Sequence, residues 1–284
     1  MNKISIITDT DSSLPANIAA NYEIQLVPIS IHFGDEVYTT GLDIDDASLF
    51  KVIDTRNKLP STSAPSPSAF ANAYKEAFKN GAESIICICV SSKVSSTYTS
   101  ALSACESFPD RDITVIDSLN LSMAQGFMAL AAAEAVQKGA GKKEIIALIT
   151  DMGSRIHFYG VLATLKYLAL SGRVGKLAAG MGDTLNIKPI LTVREGKLEL
   201  LEKVRTRKKA LDRMFEITRD SLNGKPIERL AILHVNDYEG ALDLKKQLCN
   251  KFPCPDSIIT AEFTPGLSVH AGSGVVGFVY LISK

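Results

Sequence analysis

The chain has 284 residues, of which 46% are hydrophobic, and its 31 basic side chains balance its 31 acidic ones. That length supports one large core or two smaller ones, and two lobes are expected. Zero net charge offers no overall attraction to nucleic acid or to an anionic membrane surface, so any anion must be recognised locally.

The opening run Met1-Asn2-Lys3-Ile4-Ser5-Ile6-Ile7-Thr8-Asp9 turns polar too soon for a signal peptide and reads as a first strand. No apolar run approaches the roughly 18 residues of a membrane span. Strand-like runs at Ile4 to Thr8, Gln25 to Ile31, Ser84 to Val90 and Ile113 to Asp117 alternate with helical ones near Pro15 to Asn21, Ser68 to Asn80 and Thr97 to Phe108. This alternation predicts a parallel, Rossmann-like α/β sheet. Three strands end in polar residues: Asp9-Thr10-Asp11-Ser12-Ser13, Ser91-Ser92 and Asp117-Ser118. In an open α/β sheet such ends line the ligand crevice.

Five cysteines are an odd number. Cys87 and Cys89 alternate in an apolar strand, so they share one face and read as reduced core thiols. Cys249 and Cys254 flank a proline-containing turn with no histidine nearby, and no metal site is expected. A cytoplasmic location follows.

Beyond the alanine-rich helix around Met128 to Val136 and the Gly139-Ala140-Gly141 turn, the helical stretch Lys143 to Met152 leads into a different texture. The expected division is a parallel α/β lobe over residues 1–153 and an α+β lobe with a mixed sheet over 154–284. In the second lobe Ile190 to Arg194 and Lys197 to Lys203 read as a hairpin about Glu195-Gly196. Helices are expected at Arg207 to Leu222 and Gly240 to Cys249. Strands follow at Arg229 to Val235, Ser257 to Glu262 and Val275 to Ile282. The glycine-rich segment Gly175 to Gly182 reads as a mobile loop or a close backbone approach.

Two hydroxyl clusters stand out. Leu59-Pro60-Ser61-Thr62-Ser63-Ala64-Pro65-Ser66-Pro67-Ser68 alternates hydroxyls with prolines, which hold the backbone, just ahead of a helix. Ser91-Ser92-Lys93-Val94-Ser95-Ser96-Thr97-Tyr98 opens another. Serine and threonine are ordinary caps and turn formers, but two rigid donor clusters at helix starts also suit an anion or a carboxylate. A histidine, His270, sits in Pro265-Gly266-Leu267-Ser268-Val269-His270-Ala271-Gly272, where glycine allows close approach.

Thr62-Ser63-Ala64-Pro65-Ser66 and the Ser91 to Tyr98 segment resemble two signature segments of the DegV family of bacterial fatty-acid-binding proteins. Asp117-Ser118 with Ser122, Leu170-Ser171-Gly172-Arg173-Val174, Lys188-Pro189-Ile190, Arg205-Thr206-Arg207 and Val269-His270-Ala271-Gly272 resemble its other landmarks, in order along nearly the whole chain. The resemblance implies a DegV-like two-lobed fold with a lipid site at the junction. It assigns the fatty-acid carboxylate to Thr62, Ser95 and His270, with Ser63 and Ser96 beside them. Arg173 and Arg205 then serve the phosphorylated head group and a partner, a separate ATP-dependent fatty acid kinase that makes an acyl phosphate for phospholipid synthesis. The chain itself would be a non-catalytic subunit, with a long-chain fatty acid as ligand and no cofactor. It departs from the family pattern at Ser96, where glycine is usual, and at Ala64, Ser171 and Ala271.

Other classes leave their own traces. Asp9-Thr10-Asp11-Ser12 resembles the nucleophile motif of haloacid-dehalogenase-type phosphatases, with Gly182-Asp183-Thr184-Leu185-Asn186 as an acidic metal motif, but Asn186 stands where another carboxylate is needed. Gly272-Ser273-Gly274-Val275-Val276-Gly277 matches a dinucleotide fingerprint in the wrong place, ahead of a strand. A lipid-sensing regulatory protein would use Lys203 to Lys209 as a basic contact patch.

Overall fold

The computed structural model describes residues 3–173 and 187–284. Val174, the glycine-rich segment at 175–182 and the acidic motif at 182–186 lie outside the described residues. The chain runs β1 (Ile4–Asp9), a 3-10 turn (Thr10–Ser12), α1 (Ala16–Asn21), β2 (Gln25–Val27), β3 (Ser30–Phe33), β4 (Glu36–Thr39), α2 (Asp46–Arg56) and β5 (Ser61–Ser63). It continues through α3 (Pro67–Lys79), β6 (Ser84–Cys89), α4 (Thr97–Cys105), β7 (Asp112–Asp117), α5 (Met123–Gln137) and α6 (Lys142–Gly153). Then come β8 (Ile156–Val161), α7 (Lys166–Leu170), β9 (Lys188–Arg194), β10 (Lys197–Val204) and α8 (Arg207–Leu222). The last elements are β11 (Ile227–His234), α9 (Tyr238–Lys251), β12 (Ile258–Glu262), α10 (Pro265–Ala271) and β13 (Val276–Ile282).

Two compact units result. The first takes Met1–Ile44, Thr62–Ser154 and Glu195–Lys197, and the second Asp45–Ser61, Arg155–Arg194 and Leu198–Lys284.

In the first unit a parallel sheet has the order β2-β1-β6-β7. Every residue of β6 is buried, as expected for a strand covered on both faces and written as a continuous apolar run. Ile7, Ile85, Cys87 and Cys89 pack against Phe70, Ala73 and Tyr74 of α3 and Ala101 and Ala104 of α4. The opposite parity faces α5, where Gln125 reaches Thr8. That helix is apolar nearly all round because it is buried nearly all round. The order reverses between β1 and β6, and ligands in such sheets bind at the carboxyl ends of the strands flanking that reversal.

The single strand expected over Gln25 to Ile31 is broken at Pro28, which has no N–H for a ladder. β2 stays in the parallel sheet, while β3 joins a three-stranded sheet of order β4-β3-β5. The Ile29 N–H donates to Thr10 Oγ1 at 3.0 Å, fixing the break.

In the second unit a six-stranded mixed sheet has the order β10-β9-β8-β13-β11-β12, with β11 and β12 parallel and β8 antiparallel to both β9 and β13. Met214 and Phe215 of α8 and Leu244 and Leu248 of α9 pack on Ile232, Phe278 and Tyr280. The β9/β10 turn has positive φ at Glu195 (48°) and Gly196 (80°), the signature of a tight hairpin turn.

Gly277 lies inside β13 opposite Gly160 of β8, and a Cβ there would stand 2.5 Å from the Tyr159 carbonyl oxygen. This glycine therefore serves strand packing and not a pyrophosphate. Gly277→Ala is expected to cost about 1–3 kcal/mol of stability, read by denaturant unfolding. An unchanged midpoint would show that the sheet absorbs the methyl group.

Cys87, Cys89 and Cys105 are free thiols. Cys249 and Cys254 form a disulfide across the end of α9, with Cα atoms 5.5 Å apart, a pairing that their spacing around Pro253 does not announce. Among the described residues no helix is long and apolar enough to cross a membrane.

Candidate functional site

The three polar strand ends of the first unit serve different ends. At β1, Asp9 is fully buried. Its Oδ1 accepts from the Asp11 N–H at 3.0 Å, and its Oδ2 accepts from the Val90 N–H at 2.8 Å and from Gln125 Nε2 at 3.0 Å. Burial pushes its carboxyl up to about 6, against the opposing pull of these hydrogen bonds. Asp9 thus ties β1, β6 and α5 together. A phosphatase nucleophile must meet its substrate, and this carboxylate is enclosed by scaffold. Among the described residues no group of three or more His, Cys, Asp or Glu side chains is placed to hold a metal.

The end of β7 is also scaffold. Asp117 Oδ1 accepts from the Ser92 and Leu119 N–H groups at 3.1 and 3.0 Å, and Ser118 exchanges hydrogen bonds with Asn120. These bonds shape the loop after β6, where Ser91 is buried and its Oγ donates to the Gly196 carbonyl at 2.7 Å.

That loop leads into α4, and here the hydroxyls are differently placed. Ser95 Oγ lies 2.8 Å from Thr97 Oγ1 and accepts from the Thr97 N–H at 3.3 Å. Either hydroxyl can be the donor in this pair, which uses one of its two protons and leaves the other for a further acceptor. Ser96 is the N-cap of α4 but makes no side-chain cap bond. The first-turn N–H groups of a helix have no intrahelical acceptor, and the end of the helix where they point is electropositive. Ser96 has φ −84°, a conformation open to any residue, so no glycine is required there and the serine is accommodated without strain.

In the proline-rich segment the roles divide. Ser66 caps α3 by accepting from the Ala69 N–H at 3.2 Å, with Pro67 in the first turn. Thr62 and Ser63 lie on β5, Thr62 half-buried and Ser63 exposed. Ser63 Oγ is 2.8 Å from His32 Nε2 on β3. His32 was not singled out by sequence, because nothing in the chain shows that β3 and β5 are neighbours.

In the second unit the segment around His270 is a helix, α10. Pro265 starts it, and Gly272 ends it with φ +81°. A Cβ on Gly272 would lie 2.4 Å from the Tyr167 ring. Burial, and then the nearby Arg173 cation, push His270 down to about 3. His270 is therefore a neutral donor at physiological pH, and Arg173, whose Nη1 also donates to the Ser171 carbonyl at 2.7 Å, supplies the positive charge beside it.

The basic run divides too. Thr206 caps α8 by accepting from the Lys209 N–H at 3.2 Å, and Arg207 is ion-paired to Asp237 at the start of α9. Arg205 stands exposed on the turn between β10 and α8.

The whole chain has relatives. A family model described as an uncharacterised protein of the DegV family matches residues 3–283. A DegV domain-containing protein of Clostridium perfringens is 34% identical over 281 residues, 98% of each chain. A fatty-acid-binding DegV family protein from Thermus thermophilus superposes with a TM-score of 0.93 at 28% identity, over 99% of this chain and 100% of that one. DegV of Bacillus subtilis, a fatty acid binding protein, superposes with a TM-score of 0.90 at 29% identity over the full length of both. With the family model spanning both units and the fold shared end to end, the chain belongs to the DegV family.

Proposed function

We propose that this protein binds a long-chain fatty acid and presents its carboxylate to a separate ATP-dependent fatty acid kinase, acting as a non-catalytic subunit. The observation that carries the reading is the Ser95–Thr97 pair at the start of α4, which leaves a hydroxyl proton to donate beside the sheet's reversal. Thr62, Ser63 and Ser96 are assigned the same carboxylate, as is His270. Arg173 and Arg205 are assigned to the phosphorylated head group and the kinase, because a guanidinium fork suits phosphate.

Each hydrogen bond to a charged group contributes about 1.5–3 kcal/mol. A long acyl tail adds about 0.8 kcal/mol per buried CH₂, so the tail supplies affinity and the head supplies orientation. The cytoplasm, which holds ATP, is the proposed location. The Cys249–Cys254 disulfide argues the other way, so that placement rests on the kinase alone.

Ser95→Ala and His270→Ala are expected to weaken fatty-acid binding about tenfold or more each while circular dichroism stays native. Arg173→Ala and Arg205→Ala are expected to leave binding closer to wild type and to lower acyl phosphate formation with the kinase. Titration with palmitate and a coupled kinase assay read the two classes. Wild-type behaviour of all four variants in both assays contradicts the assignments.

A further inference from the structure

The first turn of α2 carries a carboxyl that none of the roles above employs. Asp46 is 1% exposed and Ser268 of α10 is 0% exposed. The Ser268 hydroxyl donates to Asp46 Oδ2 at 2.6 Å across 222 positions of sequence. Asp46 Oδ1 is also buried and meets no donor among the described residues.

A buried carboxyl with a single donor is costly unless it is uncharged. Burial, with the negative charges of Glu262 at the end of β12 and of Asp45 beside it, pushes Asp46 up to about 8, while the Ser268 bond opposes the rise. Glu262 in turn lies 3.6 Å from His234 at the end of β11, and His270 farther along α10 and Arg173 in the turn after α7 are the other charged or titratable groups on that side.

The geometry of α10 gives this pair a purpose. The helix is one of only seven residues, too short to hold itself. It is clamped at Ser268 by Asp46 and at Gly272 by the Tyr167 ring of α7. His270 stands midway between the two clamps.

We propose that Asp46 is a positioning residue for His270: through Ser268 it fixes α10 and so sets the direction in which the imidazole meets the fatty-acid carboxylate. This rests on the fatty-acid reading above. Asp46 itself touches no ligand in this account.

The test joins two readouts on full-length protein. The first is the imidazole resonance of His270 in ligand-free protein, assigned with His270→Gln. The second is the dissociation constant for palmitate. In Asp46→Ala and Ser268→Ala the His270 resonance is expected to shift or broaden and palmitate affinity to fall about fivefold to tenfold. Asp46→Asn, which keeps the acceptor for Ser268, is expected to restore both. Ser268→Ala leaves the carboxyl in place and serves if Asp46→Ala does not fold. A folded Ser268→Ala variant with the wild-type His270 resonance overturns the proposal. Because that resonance is read without ligand, it judges the clamp separately from whether the wild type binds palmitate at all.

Discussion

Asp9→Ala should lower stability by about 2–5 kcal/mol at neutral pH, among the largest single effects in the chain. The replacement strands the Asp11 and Val90 N–H groups and one bond of the Gln125 amide in a fully buried place, and each buried unsatisfied group costs about 1–3 kcal/mol. Relief of burying a carboxylate, whose pKa is pushed up to about 6, returns part of that loss. The expected result is a clearly lower melting temperature by calorimetry. A phosphatase nucleophile behaves in the opposite manner, since its removal would abolish hydrolysis of a phosphate ester and leave stability alone. Wild-type stability in Asp9→Ala would therefore undo the scaffold role argued for this residue and reopen the enzymatic one.

The second large effect depends on pH. Asp46 titrates near 3.8 when exposed and at about 8 in the folded protein, so between those values the native state holds a proton that the unfolded chain has released. Stability then falls as pH rises, by about 1.4 kcal/mol per pH unit. The fall begins near the exposed value and is complete above about 8. Across that window the total is on the order of 5 kcal/mol. Asparagine cannot ionise and still accepts from Ser268, although its amide protons face the same donor-poor, buried surroundings. Asp46→Asn is thus expected to gain about 2–4 kcal/mol over wild type at pH 9 and nothing at pH 4. Urea unfolding of both proteins at the two pH values checks this. A difference that is the same at both would show that Asp46 is not held neutral by the fold.

The sequence revealed structure where burial follows the local pattern. β6 was legible because it is an unbroken apolar run between polar ends, β7 because its β-branched residues lie between two aspartates, and α8 because Thr206 caps a long amphipathic run that closes at Asn223. The helix start at Ser96 and Thr97 was legible too, since a hydroxyl cluster between strand and helix has few other places to go. What the sequence concealed depends on distant partners. Asp9 looks like a catalytic aspartate until Gln125, 116 positions away, is seen to enclose it. α2 and α10 were missed because neither carries a strong repeat, and the bond that joins them links residues at opposite ends of the chain. The serines of the proline-rich segment look alike in sequence, yet Ser66 is spent on capping α3 while Ser63 meets His32.

The most direct test of the central claim is native mass spectrometry of the protein purified without added lipid, followed by solvent extraction and fatty-acid analysis. The account predicts a mass excess of one long-chain fatty acid per chain, lost on denaturation and recovered in the extract. A bare protein mass that stays bare after palmitate or oleate is added would contradict it.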